Sequence, residues 1–141
     1  MKKILWLLVL VILAGGAYYL ATNRTANPTV NPAVNQVQNL TVTTTIELNG
    51  KTYSYPSTMP EGSTAADLIT KVAADNGIDL QTKDYPSMGL LVQQIMNVAG
   101  DDKTQTYWIY YINGESAQVG ISQYKLKQGD TITWKYEKST F

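Results

Sequence analysis

The sequence predicts an α+β fold: a β-grasp-like mixed sheet with one main helix, preceded by an N-terminal transmembrane helix and a flexible linker. Three observations carry this. Residues 40–48 and 131–137 alternate apolar and polar side chains, as strands with one buried face do. Only one segment, Thr64 to Asn76, carries a clean apolar stripe at helical spacing. The first 21 residues are strongly apolar and the next 18 are rich in Asn, Thr and Pro.

Lys2 and Lys3 precede a run from Ile4 to Ala21 that contains no charge. As a helix this run spans roughly 27 Å, close to the ~30 Å hydrocarbon core of a bilayer. The two lysines are expected to stay in the cytoplasm and send the rest outward. Trp6, Tyr18 and Tyr19 lie toward the ends, where amphipathic rings prefer to sit. A cleavable signal peptide is the competing reading, with Gly15 and Ala17 as the small residues before a cut. Either way the C-terminal domain is exported; a retained segment gives a single-pass protein of the cell membrane with that domain outside the cytoplasm. Residues 22–39 form the linker, in which Pro28 and Pro32 bar helix and favour extended chain.

The folded domain is expected over residues 40–141. Leu40, Val42, Ile46 and Leu48 share one strand face. Asn49-Gly50 is a strong hairpin signal because both residues tolerate positive φ, and Pro56 is expected to end the returning strand. Ser63 or Thr64 caps the helix, Asp67 sits in its first turn, and Gly77 ends it in a left-handed conformation. Ala65, Leu68, Ile69, Val72 and Ala73 form its buried stripe. Ile78 to Lys83 fits a short strand, while 88–98 is open between strand and helix. Tyr107 to Ile112 and Thr131 to Glu137 are strands, the second with Ile132, Trp134 and Tyr136 on one face. A hairpin, one helix, then further strands is the order of a single helix crossing one face of a mixed sheet.

Composition excludes several classes of function. The 141 residues carry no net charge, and beyond residue 39 eight lysines face eleven carboxylates. Nucleic-acid binding is not expected, since it needs a basic patch to neutralise phosphates. There is no Cys and no His, which removes thiol nucleophiles, thiolate zinc sites and the commonest general base. Ser87 and Ser122 lie in no nucleophile motif, Asp101-Asp102 lacks the spacing of a calcium loop, and no Gly-rich phosphate cradle is present. No catalytic residue, metal ligand or cofactor is expected.

The strand from Tyr107 to Ile112 is apolar on both faces. Trp108, Tyr110 and Ile112 point one way and Tyr107, Ile109 and Tyr111 the other. One helix covers only one face of a sheet, so the second is expected to be partly open and to present rings to a partner.

The string Tyr107-Trp108, Tyr110-Tyr111-Ile112-Asn113-Gly114, Val119-Gly120, Ser122-Gln123-Tyr124, Gly129-Asp130, Ile132 and Trp134 resembles the transcobalamin-like C-terminal domain, in bacteria the domain of unknown function DUF4430. Thr64 to Leu68, Gly89 and Ile95 extend the likeness, which covers roughly residues 42–137. The resemblance implies a β-grasp fold and a non-catalytic, ligand-holding role. In transcobalamin and intrinsic factor such a domain closes over one face of cobalamin, and a separate helical barrel, missing here, holds the other. It also implies a ligand-facing edge at Tyr107, Trp108, Gly120, Ser122, Gln123 and Tyr124, to which the open aromatic face adds Tyr111 as a candidate ligand-binding residue. The expected function is a membrane-tethered extracytoplasmic binding module for a corrinoid or other small ligand. The alternative is a protein-interaction or structural module of the cell envelope, in which an open strand edge accepts a partner strand.

Overall fold

The computed structural model describes residues 38–86 and 89–139. The expected N-terminal helix and most of the linker lie outside the described residues, and no helix among those described is long and apolar enough to cross a membrane.

The chain opens with β1 (Asn39–Leu48) and β2 (Lys51–Pro60), paired antiparallel through the Asn49-Gly50 turn. Both turn residues have positive φ, 51° and 72°. The helix α1 (Ala65–Asn76) follows. Next come β3 (Leu80–Tyr85), β4 (Gly89–Ile95) and the two-residue β5 (Val98–Ala99). The strand β6 (Thr106–Ile112), the short β7 (Glu115–Ser116) and β8 (Thr131–Lys138) complete the fold.

The main sheet has the order β2-β1-β8-β6-β7, and β3-β4-β5 form a second sheet. First and last strands lie side by side at the centre and run parallel, while β6 is antiparallel to β8. A parallel pair between the two ends of a domain needs a crossover, and α1 supplies it. This is the mixed α+β sheet with one helix that the residue patterns predict.

The end of β2 differs from expectation. Pro56 does not stop the strand, which continues four residues to Pro60. β2 is an edge strand paired only with β1, and an edge tolerates a residue without an N–H where that group would face outward. The continuation brings Met59 into the core.

The start of α1 is fully satisfied. Thr64 accepts from the Asp67 N–H, and the Asp67 carboxylate accepts in return from the Thr64 N–H at 2.7 Å. The first two helical N–H groups, of Ala65 and Ala66, donate to the carbonyls of Tyr124 and Ile121. All four donors that a helix start leaves unpaired are thereby met by the capping box and the 121–124 turn. Leu68 N–H then donates to Thr64. At the other end Gly77 adopts φ +63° and donates to Ala73.

The core lies between α1 and one face of the main sheet. Val42, Thr44, Ile46, Ile132 and Trp134 line that face, and Leu68, Ile69 and Val72 meet them from the helix. Thr44 holds an apolar position and its Oγ has no hydrogen-bond partner among the described residues. The β3–β4 hairpin adds Val92 and Ile95 to the same core. The ambiguous segment 88–98 is thus strand over 89–95 and at Val98, with a turn at Met96-Asn97 between, and its mixed spacing has a cause. Register slips between Gln81 and Thr82, whose partners are Gln94 and Val92, so Gln93 is left as an extra residue. A bulge of this kind breaks the period-2 pattern.

Candidate functional site

The face of β6 opposite α1 is partly open, as the double-sided apolar strand predicts. Tyr107 is 36% exposed, and Ile109 and Tyr111 are half-buried. Each tyrosine hydroxyl on this face is held by a carboxylate. Tyr107 donates to Asp102 at 2.9 Å, and Tyr111 donates to Glu137. These bonds hold the phenolic protons, so both hydroxyls titrate above the usual tyrosine value. The Lys135 ammonium lies 5.0 Å over the Tyr111 ring and 3.3 Å from Glu47. Tyr107 lies across Gly100, where a Cβ would come within 3.0 Å of its Cδ1.

On the other face Trp108 is buried at 5% exposure. Its ring packs on Tyr136 at 5.4 Å, and its indole N–H donates to the Val98 carbonyl at 2.7 Å. Tyr110 stacks on Trp134 and donates its hydroxyl to the Val119 carbonyl. Tyr136 reaches the Ala99 carbonyl at 3.0 Å. The bonds to Val98 and Ala99 dock the β3–β4–β5 sheet against the main sheet at its β5 end.

At the opposite end Ser122 does the docking. Its Oγ accepts from the Leu90 N–H at 3.0 Å, and Gly89, at φ +78°, leaves only 3.2 Å between an added Cβ and that oxygen. Between the two attachments a cleft of about 840 Å³ separates β4 from β6. Its hairpin wall includes Gln81, Lys83, Leu91 and Gln94, and its opposite wall includes Tyr107, Ile109 and Tyr110. The cleft mixes apolar rings with amide groups, as small-molecule sites do.

The structure does not gather the seven sequence-derived candidates at one place. Tyr107 and Trp108 line the cleft. Tyr111 lies on the open face beside Glu137. Gly120 accepts from the N–H groups of Gln123 and Tyr124, closing the turn that caps α1. Gln123 is exposed on that turn. Tyr124 donates to the buried carboxylate of Asp130 at 2.8 Å, and burial together with this bond pushes its hydroxyl up to about 12. Ser122 acts on the hairpin. Sequence reasoning missed the β4 wall and Lys83, because nothing in 80–95 shows which strand edge will face β6.

Among the described residues no three carboxylates converge on a point that could hold a metal ion. Rings, amides, one ammonium and fixed hydroxyls can bind and orient a ligand. The Tyr107, Tyr111 and Tyr124 phenols hold their protons more tightly than in water, which works against their acting as nucleophiles.

The described residues therefore form a small α+β domain of one helix and two sheets, with a cleft between them. The chain belongs to the family described as Domain of unknown function (DUF4430), whose model matches residues 62–138. No curated protein matches the sequence. Among solved structures the chain is similar to haptocorrin in complex with Cbi, with 21% identity and a TM-score of 0.65 over 72% of this chain. It spans 26% of the haptocorrin chain. It is also similar to a candidate metal-binding protein from Ruminococcus gnavus, with 15% identity and a TM-score of 0.56. That match covers 71% of this chain and 98% of the other. At these identities the likeness is one of fold.

Proposed function

We propose that the domain is a non-catalytic binding module that holds a small ligand in the cleft between β4 and β6. The observation that carries this is the cleft itself, pinned at one end by Trp108 and Tyr136 and at the other by Ser122. A site fixed at both ends is preorganised, which lowers the ordering cost of binding. A corrinoid is the first ligand to test, because haptocorrin, a protein of similar fold, is bound to Cbi. Tyr107 and Trp108 are the residues of the expected ligand-facing edge that this reading retains as cleft lining. Metal binding, the description attached to the second structure, has less support here, given a chain without His or Cys and no convergent carboxylates among the described residues.

The module is proposed to work outside the cytoplasm, tethered by residues 1–21 and spaced from the bilayer by residues 22–39. The charge-free run after Lys2 and Lys3 supports this. Fractionation of cells expressing the full chain, with protease added outside, tests it: the tethered reading requires a membrane-bound chain whose domain is shaved from intact cells. Calorimetric titration with cyanocobalamin, cobinamide and cell-wall glycan fragments tests the ligand reading. Heat from one class, lost in a Tyr107→Ala, Tyr110→Ala variant, supports it, and no heat from any class at millimolar ligand counts against it.

A further inference from the structure

The backbone of β6 carries an unfilled position on the cleft side. Thr106 exchanges both of its backbone hydrogen bonds with Asp101, at 2.8 and 3.0 Å, and the Tyr110 carbonyl accepts from Ala117 at 3.2 Å. Asp101 and Ala117 both lie on the side of β6 away from β8. Along a strand every second residue directs its N–H and C=O to the same side, so the Trp108 pair points there too. Trp108 lies midway between the fully paired Thr106 and Tyr110, whose carbonyl is paired, and among the described residues no hydrogen bond to its own N–H or C=O is found on this side. The residue is almost fully buried yet lines the cleft. Buried backbone groups are nearly always paired, so this gap in the ladder marks a place where something else supplies the bonds.

We infer that the cleft also accepts an extended peptide segment bearing a carboxylate, added as a short strand opposite Trp108. This rests on the reading of the cleft as a ligand site and names a ligand class for it. The N–H and C=O of one residue are spaced so that the residue facing them in an antiparallel strand exchanges both bonds. A primary carboxamide can also meet both, through its oxygen and its NH2 group, but a strand continues the pairing along the edge and adds side-chain contacts on either side. From Thr106 to Tyr110 the edge runs for roughly 13 Å at the usual strand rise, room for three or four added residues. The paired ends at Asp101 and Ala117 limit the addition to that length. Charge sets the peptide's character. The Lys83 ammonium lines the cleft, lies 4.9 Å over the Tyr85 ring and pairs with no carboxylate among the described residues. The cleft's own Asp102 accepts from Tyr107 instead. A peptide carboxylate complements the ammonium that is left over. Strand addition gives affinity through the main chain and selectivity through alternate side chains.

The test is an NMR titration of the full-length chain with a pooled library of acetylated, amidated tetrapeptides with Glu fixed at the second position. The same library N-methylated at that Glu is the control, and cobinamide is run in parallel. The expected result is a shift of the Trp108 amide signal and at least tenfold slower exchange of its proton with the first library. The N-methylated library is expected to produce neither effect, and Lys83→Glu is expected to weaken the response three- to tenfold. Equal binding of the two libraries, or peptide binding away from β4 and β6, overturns the inference. If cobinamide shifts the cleft and peptides do not, the peptide inference falls while the cleft remains a ligand site. If no probe shifts the cleft, both readings fall.

Discussion

The indole N–H of Trp108 donates to the carbonyl of Val98 at 2.7 Å, joining β6 to the turn end of the second sheet. The bond lies in the core, where a lost partner leaves the Val98 oxygen unpaired. Such a loss costs about 1–3 kcal/mol. Trp108→Phe is expected to lower stability by about that amount, and to speed amide exchange of β4 and β5 more than that of β1. Urea denaturation and hydrogen exchange measure the two effects. Uniform acceleration across the domain would contradict a local fastening role.

Ser122 fastens the other end through Leu90. The turn that carries it is exposed, and an ordinary hydrogen bond contributes about 1 kcal/mol net. Ser122→Ala is therefore expected to change stability little, by about 1 kcal/mol or less. It is expected to free the Leu90 amide to exchange and, where a ligand is found, to raise its dissociation rate severalfold. Ligand kinetics identical to wild type would show that the fastening does not control the cleft.

Gly100 makes room for the Tyr107 ring. An alanine there meets Cδ1 at 3.0 Å, so the ring must give by a few tenths of an ångström, which strains its hydroxyl bond to Asp102. Gly100→Ala is expected to cost about 1 kcal/mol, in the range of mild overpacking. The cost should largely vanish in a Tyr107→Ala background, because contacting residues are non-additive. Additive losses in the double-mutant cycle would contradict the steric account.

Tyrosine ionisation sets the alkaline limit. The Tyr124 hydroxyl is raised to about 12, first by burial and then by its bond to Asp130. A raised value means that the folded state holds the proton more tightly than the unfolded chain. The associated stability is complete below about pH 10, the ordinary tyrosine value, and is lost as pH rises toward 12. Denaturation followed from pH 8 to 12 should show a falling midpoint, and Tyr124→Phe should flatten part of the fall. Tyrosinate absorbance locates the titration directly.

At the acid end the sign reverses. Hydrogen bonds from the Thr64 N–H and hydroxyl hold the Asp67 carboxylate below its ordinary value. That contribution is present above about pH 4 and is lost as pH falls through the lowered value. Asp67→Asn is expected to weaken the acid dependence of stability, and Thr64→Ala to cost about 1 kcal/mol at neutral pH. Denaturation midpoints of both variants at pH 3 and 7 check this.

The legible parts of this chain are those where local chemistry and tertiary environment agree. Asn49-Gly50, the Thr64–Asp67 box and Gly77 each dictate a backbone geometry that no distant contact has to supply, and the structure places each as the residues require. The alternation of Ile132, Trp134 and Tyr136 likewise needs only one buried face. Pro56 was misleading because its effect depends on whether its strand is an edge, which the neighbours decide and the residue does not. The 80–95 hairpin was unreadable because the extra residue Gln93 shifts the alternation partway along β4. For the site, the open face of Tyr107, Ile109 and Tyr111 was legible from a strand apolar on both sides. The cleft was not, since it depends on how a second sheet docks through Val98, Ala99 and Ser122.

The central claim is that a ligand occupies the space between β4 and β6. Chemical-shift mapping of the full chain against corrinoids, cell-wall glycan fragments and the acidic peptide library tests it most directly. The account predicts that at least one ligand perturbs Leu91 to Gln94 together with Tyr107 to Tyr110. Binding confined to the threonine-bearing face of Thr41, Thr43 and Thr45, with the cleft signals unmoved, would contradict it.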